Sequence, residues 1–306
     1  PKAVFRAQFP QTQILEIDNV EAQLKALRES HVRRSMMDLQ EEMLDAIADG
    51  VPADDLLDLV NQRSLSLQMQ VSGGDHETEI IGDWQHVFND VAARRGRTEE
   101  RGMAGIPTGF ASLDAWTGGP QPGDLWVVAA RLGHGKTWTA VKMACAAVAA
   151  NYTVQYDALE QSRAQVGMRA HTFLSEQYGP ETFRAMDLMQ GGDGLDLLAY
   201  QQFVKDLPDR APGKLIVNDT SRGRVTPAVV AAQIERNHPH VVYLDYITLM
   251  NSGGDGRDWK HVADLSAEMK GLAMRYDIPI VCLAQINRMG VGTDVPNAEH
   301  LAGSDA

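Results

Sequence analysis

Apolar positions along the chain follow two different periods, and the change between them falls near residue 104. Before it, apolar residues recur every three or four positions, as in amphipathic helices. The helical patterns cover residues 20–29, 33–48, 54–67 and 78–95. Pro52 and the loop 72–75 interrupt them, and the polar stretch 94–102 is expected to be a linker. The sequence therefore predicts an α-helical region over residues 1–102.

Beyond residue 104, short apolar runs alternate with helical patterns, which is typical of an α/β domain with a mostly parallel sheet. The predicted strands are residues 125–129, 153–156, 215–218, 241–244 and 278–283. The predicted helices are residues 137–149, 162–176, 195–205, 227–237 and 262–276. These elements define a second predicted domain, residues 103–306, with helices flanking the sheet.

A glycine-rich turn joins the first predicted strand of this domain to its first predicted helix. It reads Ala130-Arg131-Leu132-Gly133-His134-Gly135-Lys136-Thr137. In such a turn, backbone N–H groups point at bound phosphate, a lysine adds charge and a hydroxyl holds Mg²⁺. The general pattern has glycine where Ala130 stands, and alanine is acceptable there if φ is negative. The alternative is a turn that only connects a core strand to a core helix.

Polar side chains end three further predicted strands. Asp245 follows an apolar strand, where a carboxylate can order Mg²⁺ or simply begin a turn. Glu160 follows another strand and is a candidate general base, with Asp157 as its competitor. The alternative is that both are acids at a helix start, favoured there by the helix dipole. Gln285 ends a third strand and can bond a γ-phosphate or the backbone.

An amphipathic stripe in residues 78–95 carries large apolar side chains. Its members are Ile81, Trp84, Val87, Phe88 and Val91. Two interpretations stay open: the stripe packs inside the same chain, or it docks on a neighbouring subunit.

Composition narrows the class of protein. The chain has 306 residues, of which 44% are hydrophobic, and a formal net charge of −13. This charge argues against a surface broadly coated for nucleic acid, while a local basic channel remains compatible with it. Cys145 and Cys282 lie in apolar runs and are expected to be buried thiols in a reducing compartment. We find no apolar run of membrane-spanning length and no signal-peptide layout.

Read in order, several short motifs resemble one family. They are Ile106-Pro107-Thr108-Gly109-Phe110, Leu113-Asp114, Thr117-Gly118-Gly119, Gly123-Asp124-Leu125, the loop with its Ala130-Arg131 start, Leu159-Glu160, Leu244-Asp245-Tyr246 and Gln285-Ile286-Asn287-Arg288. The set resembles the RecA-like motor domain of the DnaB-like replicative hexameric helicases of bacteria and bacteriophages. Residues 33–101 resemble the helical region that precedes this motor, including a linker helix that packs on the adjacent subunit.

The resemblance implies a role for each matching residue. Glu160 would be the catalytic base, Lys136 a phosphate ligand and Gln285 a γ-phosphate sensor, with Thr137 and Asp245 at Mg²⁺. The residues expected to hold ATP are Arg131, Gly133, His134, Gly135, Lys136, Thr137 and Trp138. Two loops would line a channel for single-stranded DNA, at about residues 251–261 and 289–305. Their candidate DNA contacts are Arg257, Lys260, Arg288, Gly303 and Ser304. Such loops are also common as plain solvated turns.

Two departures from the family pattern affect these expectations. Ala302 stands where a basic residue is usual, and Asp305 where glycine is expected, which weakens one DNA contact. The family motor also continues with strands that carry an arginine finger, which lies beyond this sequence. An arginine finger is worth about 10³-fold or more in rate, so we expect efficient hydrolysis to need that continuation.

The leading functional interpretation is an ATP-dependent replicative DNA helicase. We expect it to form a homo-oligomeric ring, most simply a hexamer, with primase and a helicase loader as partners. Its expected location is the cytoplasm of a bacterium or of a phage-infected host. One alternative is a RecA-like DNA-dependent ATPase that does not unwind, such as a recombinase or a regulatory ring. The other is an interaction module with a degenerate ATPase.

Overall fold

Contacts between residues divide the chain into two compact units, residues 1–76 and 77–306. The computed structural model describes residues 20–53, 55–57, 59–60, 63–64, 67, 82, 84–192, 194–223, 225–245 and 259–286. The predicted domain boundary at residue 102 stays a prediction. Among the described residues, none of the helices combines the length and the apolar character needed to cross a membrane.

The described residues of the first unit are mainly helical. Its main element is α1 (Val20–Ala48), a single helix where the sequence pattern predicted two. No glycine or proline separates the two predicted halves, so the backbone hydrogen bonds continue through them. The described positions between 53 and 67 are also helical, and Arg63 pairs with Glu42 of α1 at 3.0 Å.

A long helix, α2 (Trp84–Arg101), opens the described part of the second unit. The prediction that residues 94–102 form a linker is wrong, because α2 continues through Arg101. Two ion pairs at helical spacing support this polar half: Arg94 with Asp90 at 2.9 Å and Arg95 with Glu99 at 2.8 Å. The charged residues of this stretch therefore pair along a helix, although their composition resembles that of a linker.

The core of the second unit is a five-stranded parallel sheet with strand order β1-β5-β4-β2-β3. The strands are β1 (Leu125–Ala130), β2 (Thr153–Ala158), β3 (Lys214–Asp219), β4 (Val241–Asp245) and β5 (Ile280–Gln285). The helices are α3 (Ala111–Thr117), α4 (Lys136–Ala149), α5 (Arg163–Tyr178), α6 (Ala185–Gln190), α7 (Leu197–Arg210), α8 (Pro227–Asn237) and α9 (Trp259–Tyr276). The α/β prediction is confirmed. Among the described residues, the short helices α3 and α6 and a 3-10 turn at Thr220–Arg222 were not predicted.

Helix α4 packs on all five strands of the sheet, and half of its residues are buried. Small residues such as Ala140, Ala144 and Ala147 let its backbone approach the strands. Both cysteines lie in this core, and burial raises the pKa of each thiol to about 12. They therefore stay protonated and act as small apolar residues, as predicted.

A polar cluster is buried on the other face of β2. The Asp157 carboxylate accepts hydrogen bonds from Asn218 Nδ2 at 2.7 Å and from Gln155 Nε2 at 2.9 Å. Gln155 is joined in turn to Gln233 and Asn237 of α8. Asp157 is fully buried, and this burial raises its pKa to about 6 despite the two donors. The cluster therefore links β2, β3 and α8 at an electrostatic cost.

We expect Asp157→Asn to stabilise the fold more at high pH than at low pH. An aspartate has a pKa near 3.9 when unfolded, so the folded state loses stability as the pH rises through about 6. Relative to wild type, the variant should gain about 2 kcal/mol in urea unfolding free energy between pH 4.5 and pH 7.5. Asp209→Asn, which removes an exposed carboxylate, is the control. A difference that does not change with pH would contradict the account.

Candidate nucleotide-binding site

The glycine-rich loop leads from β1 into α4, and its backbone has the conformation that a phosphate cradle needs. Gly133 and Gly135 both have φ of +79°, a left-handed conformation that disfavours other residues. Gly135 caps α4, which begins at Lys136, so the free N–H groups of the first turn face the loop. Ala130 has no positive φ, which explains why alanine is acceptable where the pattern has glycine.

Two other residues that were predicted to hold ATP, His134 and Trp138, have different surroundings. His134 is exposed, and its Nδ1 lies 3.1 Å from the Leu132 carbonyl oxygen, within the loop itself. Trp138 is 38% exposed and packs edge-on against Phe173 at 5.7 Å, with the Arg169 guanidinium 5.5 Å above its ring. Trp138 thus presents a fixed aromatic surface beside the loop.

The parallel register brings the predicted polar residues to the same edge of the sheet. Ala130, where the loop begins, pairs with Gln285 of β5, and Ala158 of β2 pairs with Asp245 of β4. All of these are the carboxyl ends of their strands, the edge at which open α/β sheets bind ligands. The sheet therefore collects the loop, Asp245 and Gln285 at one edge.

Asp245 has an unusual environment. It is 1% exposed, and its Oδ2 accepts a hydrogen bond from the Tyr156 hydroxyl at 2.9 Å. Its Oδ1 is buried without a hydrogen-bond partner in the described part of the chain. Burial, and then the charge of Asp245, raise the pKa of Tyr156 well above its ordinary value, so the hydroxyl keeps its proton and donates.

Lys136 lies between two acids. Desolvation by burial lowers the pKa of its ammonium, and the charges of Asp245 and Glu160 act in the opposite direction. Both carboxylates are therefore near enough to interact with Lys136 electrostatically. The ammonium at the start of α4 and the two acids form one charged group.

The two acids that competed for the role of general base lie in different places. Glu160 is exposed beyond the end of β2, and the neighbouring Leu159 N–H donates to the Asp245 carbonyl at 2.8 Å. Asp157 is buried in the polar cluster on the opposite face of the strand. Successive side chains of β2 lie on opposite faces of the sheet. Tyr156 is on the same face as Asp245, so Asp157, the next residue, is on the other face. Gln285 is half-buried at the end of β5.

The donor set fits a magnesium ion that is bound together with a nucleotide. Among the described residues, no three His, Cys, Asp or Glu side chains cluster to hold a metal by themselves. Mg²⁺ in phosphate sites typically needs only one or two protein oxygens plus water and phosphate. Thr137 in the first turn of α4 and the unpartnered Asp245 Oδ1 offer oxygens of this kind.

Comparison with known proteins decides the family. The model of the DnaB-like helicase C-terminal domain matches residues 105–303, about two thirds of the chain. The chain belongs to this family. The motifs, the parallel sheet and the loop are thus those of a DnaB-like, RecA-type ATPase domain, and the resemblance seen in the sequence is confirmed.

Individual relatives agree with this assignment. The replicative DNA helicase DnaB of Helicobacter pylori is 27% identical over 280 residues, covering 89% of this chain and 55% of the relative. That of Haemophilus influenzae is 30% identical over 197 residues, covering 61% of this chain and 40% of the relative. The chain therefore spans about half the length of the curated relatives it matches.

Solved structures support the fold. A DnaB-like replicative helicase, described with its interactions with primase, superposes with a TM-score of 0.59 at 17% identity, covering 95% of this chain and 67% of that one. A second structure, of an ATPase domain, gives 0.58 at 18% identity and covers 74% and 80%.

The predicted DNA contacts of this DnaB-like chain lie largely outside the described residues. Arg257, Arg288, Gly303 and Ser304 are among those not described, and Lys260 lies in the first turn of α9. Sequence reasoning missed Tyr156, which looked like an ordinary strand residue. No signal in the sequence indicates this contact, because it depends on the pairing of β2 with β4, in which Tyr156 lies opposite Tyr243, two positions before Asp245.

Proposed function

We propose that this chain is the ATP-hydrolysing motor of a replicative DNA helicase that translocates on single-stranded DNA and unwinds duplex. The observation that carries the proposal is the juxtaposition of the glycine loop, Lys136 and Asp245 at one edge of the sheet. One buried Asp245 oxygen has no hydrogen-bond partner among the described residues. An orphaned carboxylate oxygen is costly unless a cation completes its coordination. Its presence beside a phosphate loop favours a working ATPase over a degenerate interaction module.

Each residue then has a specific role in hydrolysis. The loop N–H groups and Lys136 hold the β- and γ-phosphates, with Arg131, His134 and Trp138 alongside. Thr137 and Asp245 would hold Mg²⁺, which would supply positive charge for the phosphate oxygens. Glu160 orients the attacking water and accepts its proton, which its exposed position beyond β2 permits. Gln285 bonds the γ-phosphate and reports its loss to the segment that follows.

We expect Glu160→Gln to abolish DNA-stimulated ATP hydrolysis, with a loss of at least about 100-fold in kcat, because the amide cannot accept the proton. Nucleotide binding should change little. Steady-state hydrolysis by the full-length protein, with and without single-stranded DNA, checks this. Asp157→Asn is the matched control and should retain stimulated hydrolysis, because Asp157 lies in the cluster on the opposite face.

Other results would redirect the assignment. Wild-type hydrolysis that ignores DNA contradicts the helicase and favours the RecA-like ATPase that does not unwind. No hydrolysis by the full-length wild type favours the interaction module. If Asp157→Asn loses DNA-stimulated ATP hydrolysis while Glu160→Gln keeps it, the general base would be Asp157 and not Glu160.

DNA binding is assigned to the segments that follow β4 and β5. Arg257 follows β4, Lys260 lies in the first turn of α9, and Arg288, Gly303 and Ser304 follow β5. A net charge of −13 fits a narrow channel in which only these few cations meet the DNA backbone. Such binding weakens steeply with salt, because each phosphate contact releases counterions.

The second part of the proposal is that the chain assembles into a homo-oligomeric ring, which we expect to be a hexamer. Helix α2 has no buried residue, yet its stripe carries Trp84 at 59% and Phe88 at 60% exposure. These rings pack edge-on against each other at 6.0 Å. An exposed apolar stripe of this kind is typical of an interaction surface. We assign it to a neighbouring subunit, which would also bring an arginine finger to the ATP.

The setting of such a ring is the cytoplasm of a bacterium or of a phage-infected host. There a replicative helicase meets the primase and the loader that we expect as its partners.

We expect the double change Trp84→Ala and Phe88→Ala to dissociate the oligomer without unfolding the subunit. Burying two aromatic side chains supplies several kcal/mol per interface, and these side chains make little contribution to the core. Light scattering measures the mass, and His86→Ala on the opposite face of α2 is the control. An unchanged mass in the double variant would contradict the assignment.

A further inference from the structure

Tyr156 joins the interior of the sheet to the acid at its edge. Its hydroxyl donates to Asp245 Oδ2 at 2.9 Å, across the pair formed by β2 and β4. The tyrosine is fully buried, and its ring stacks on that of Tyr243 with centroids 6.2 Å apart and an interplanar angle of 18°. The hydrogen bond therefore comes from a side chain that the core holds in place.

This arrangement leaves Asp245 with two different oxygens. Oδ2 is occupied by the tyrosine, and Oδ1 is buried without a partner among the described residues. A carboxylate held at one oxygen cannot turn freely about its terminal torsion, so the direction of the other oxygen is set as well. The unpartnered oxygen is thus presented in a fixed direction before any ligand arrives.

We propose that Tyr156 is a positioning residue that holds Asp245 so that its free oxygen meets the magnesium ion of bound ATP. The inference rests on the proposed function, because it assumes that Asp245 orders this ion. Residues that orient a ligand of a metal commonly contribute tenfold or more to metal affinity. Without the hydroxyl, the buried carboxylate loses its donor and can turn, so Oδ1 is no longer held in the direction of the ion.

The neighbouring tyrosine offers a matched control. Tyr243 is equally buried and stacks on Tyr156, but its hydroxyl has no hydrogen-bond partner among the described residues. Tyr156→Phe and Tyr243→Phe remove the same atom from adjacent rings of the same core. They differ in that only the first variant removes the donor to Asp245.

The experiment measures equilibrium binding of a fluorescent ATP analogue to the full-length protein while Mg²⁺ is titrated, and again in excess EDTA. We expect Tyr156→Phe to raise the Mg²⁺ midpoint about tenfold while binding in EDTA stays at the wild-type level. Tyr243→Phe should match wild type in both conditions. In an Asp245→Asn background, Tyr156→Phe should produce no further shift, because the acceptor is already changed.

The outcomes separate this role from the proposed function. If wild-type nucleotide binding does not respond to Mg²⁺, the magnesium site and the role of Tyr156 both fail. If wild type responds and Tyr156→Phe matches it, only the positioning role fails. Equal shifts in both phenylalanine variants, or a further shift in the Asp245→Asn background, would show a general effect of the core and would also overturn the role.

Discussion

The parallel pairing of the five strands is the constraint on which the site depends. Because every strand runs in the same direction, the carboxyl ends of β1, β2, β4 and β5 meet at one edge. Residues that are far apart in the sequence, such as Lys136 and Asp245, become neighbours at that edge. Helix α4 follows the loop directly and packs on all five strands, and its small residues allow a close approach to the sheet.

One basic and two acidic side chains interact electrostatically at this edge of the sheet. Burial alone would favour a neutral Lys136, and the two nearby acids counter this effect on its pKa. Asp245 keeps one oxygen on Tyr156 and the other without a partner among the described residues. Under the proposed function, Lys136 would meet the phosphates and Asp245 the metal ion.

The sequence predicted much of this arrangement. Periodicity located the five strands, and the strand–turn–helix context of the glycine loop made its chemistry readable. The linker prediction for residues 94–102 was wrong, because charged residues at helical spacing look like linker composition until their pairing is seen. The Tyr156 contact was not predictable either, since it depends on strand order, which local patterns do not encode. The environment of Asp157 was not predictable for a similar reason. It depends on which elements cover each face of the sheet, and the sequence does not give this.

A crystal structure with Mg²⁺ and a non-hydrolysable ATP analogue tests the central claim most directly. The account predicts the phosphates in the loop between Gly133 and Thr137, with the ion linked to Asp245 Oδ1 directly or through one water. The Tyr156 hydrogen bond to Oδ2 should be retained. Phosphates bound away from Lys136, or an ion that leaves Asp245 Oδ1 without a partner, would contradict it.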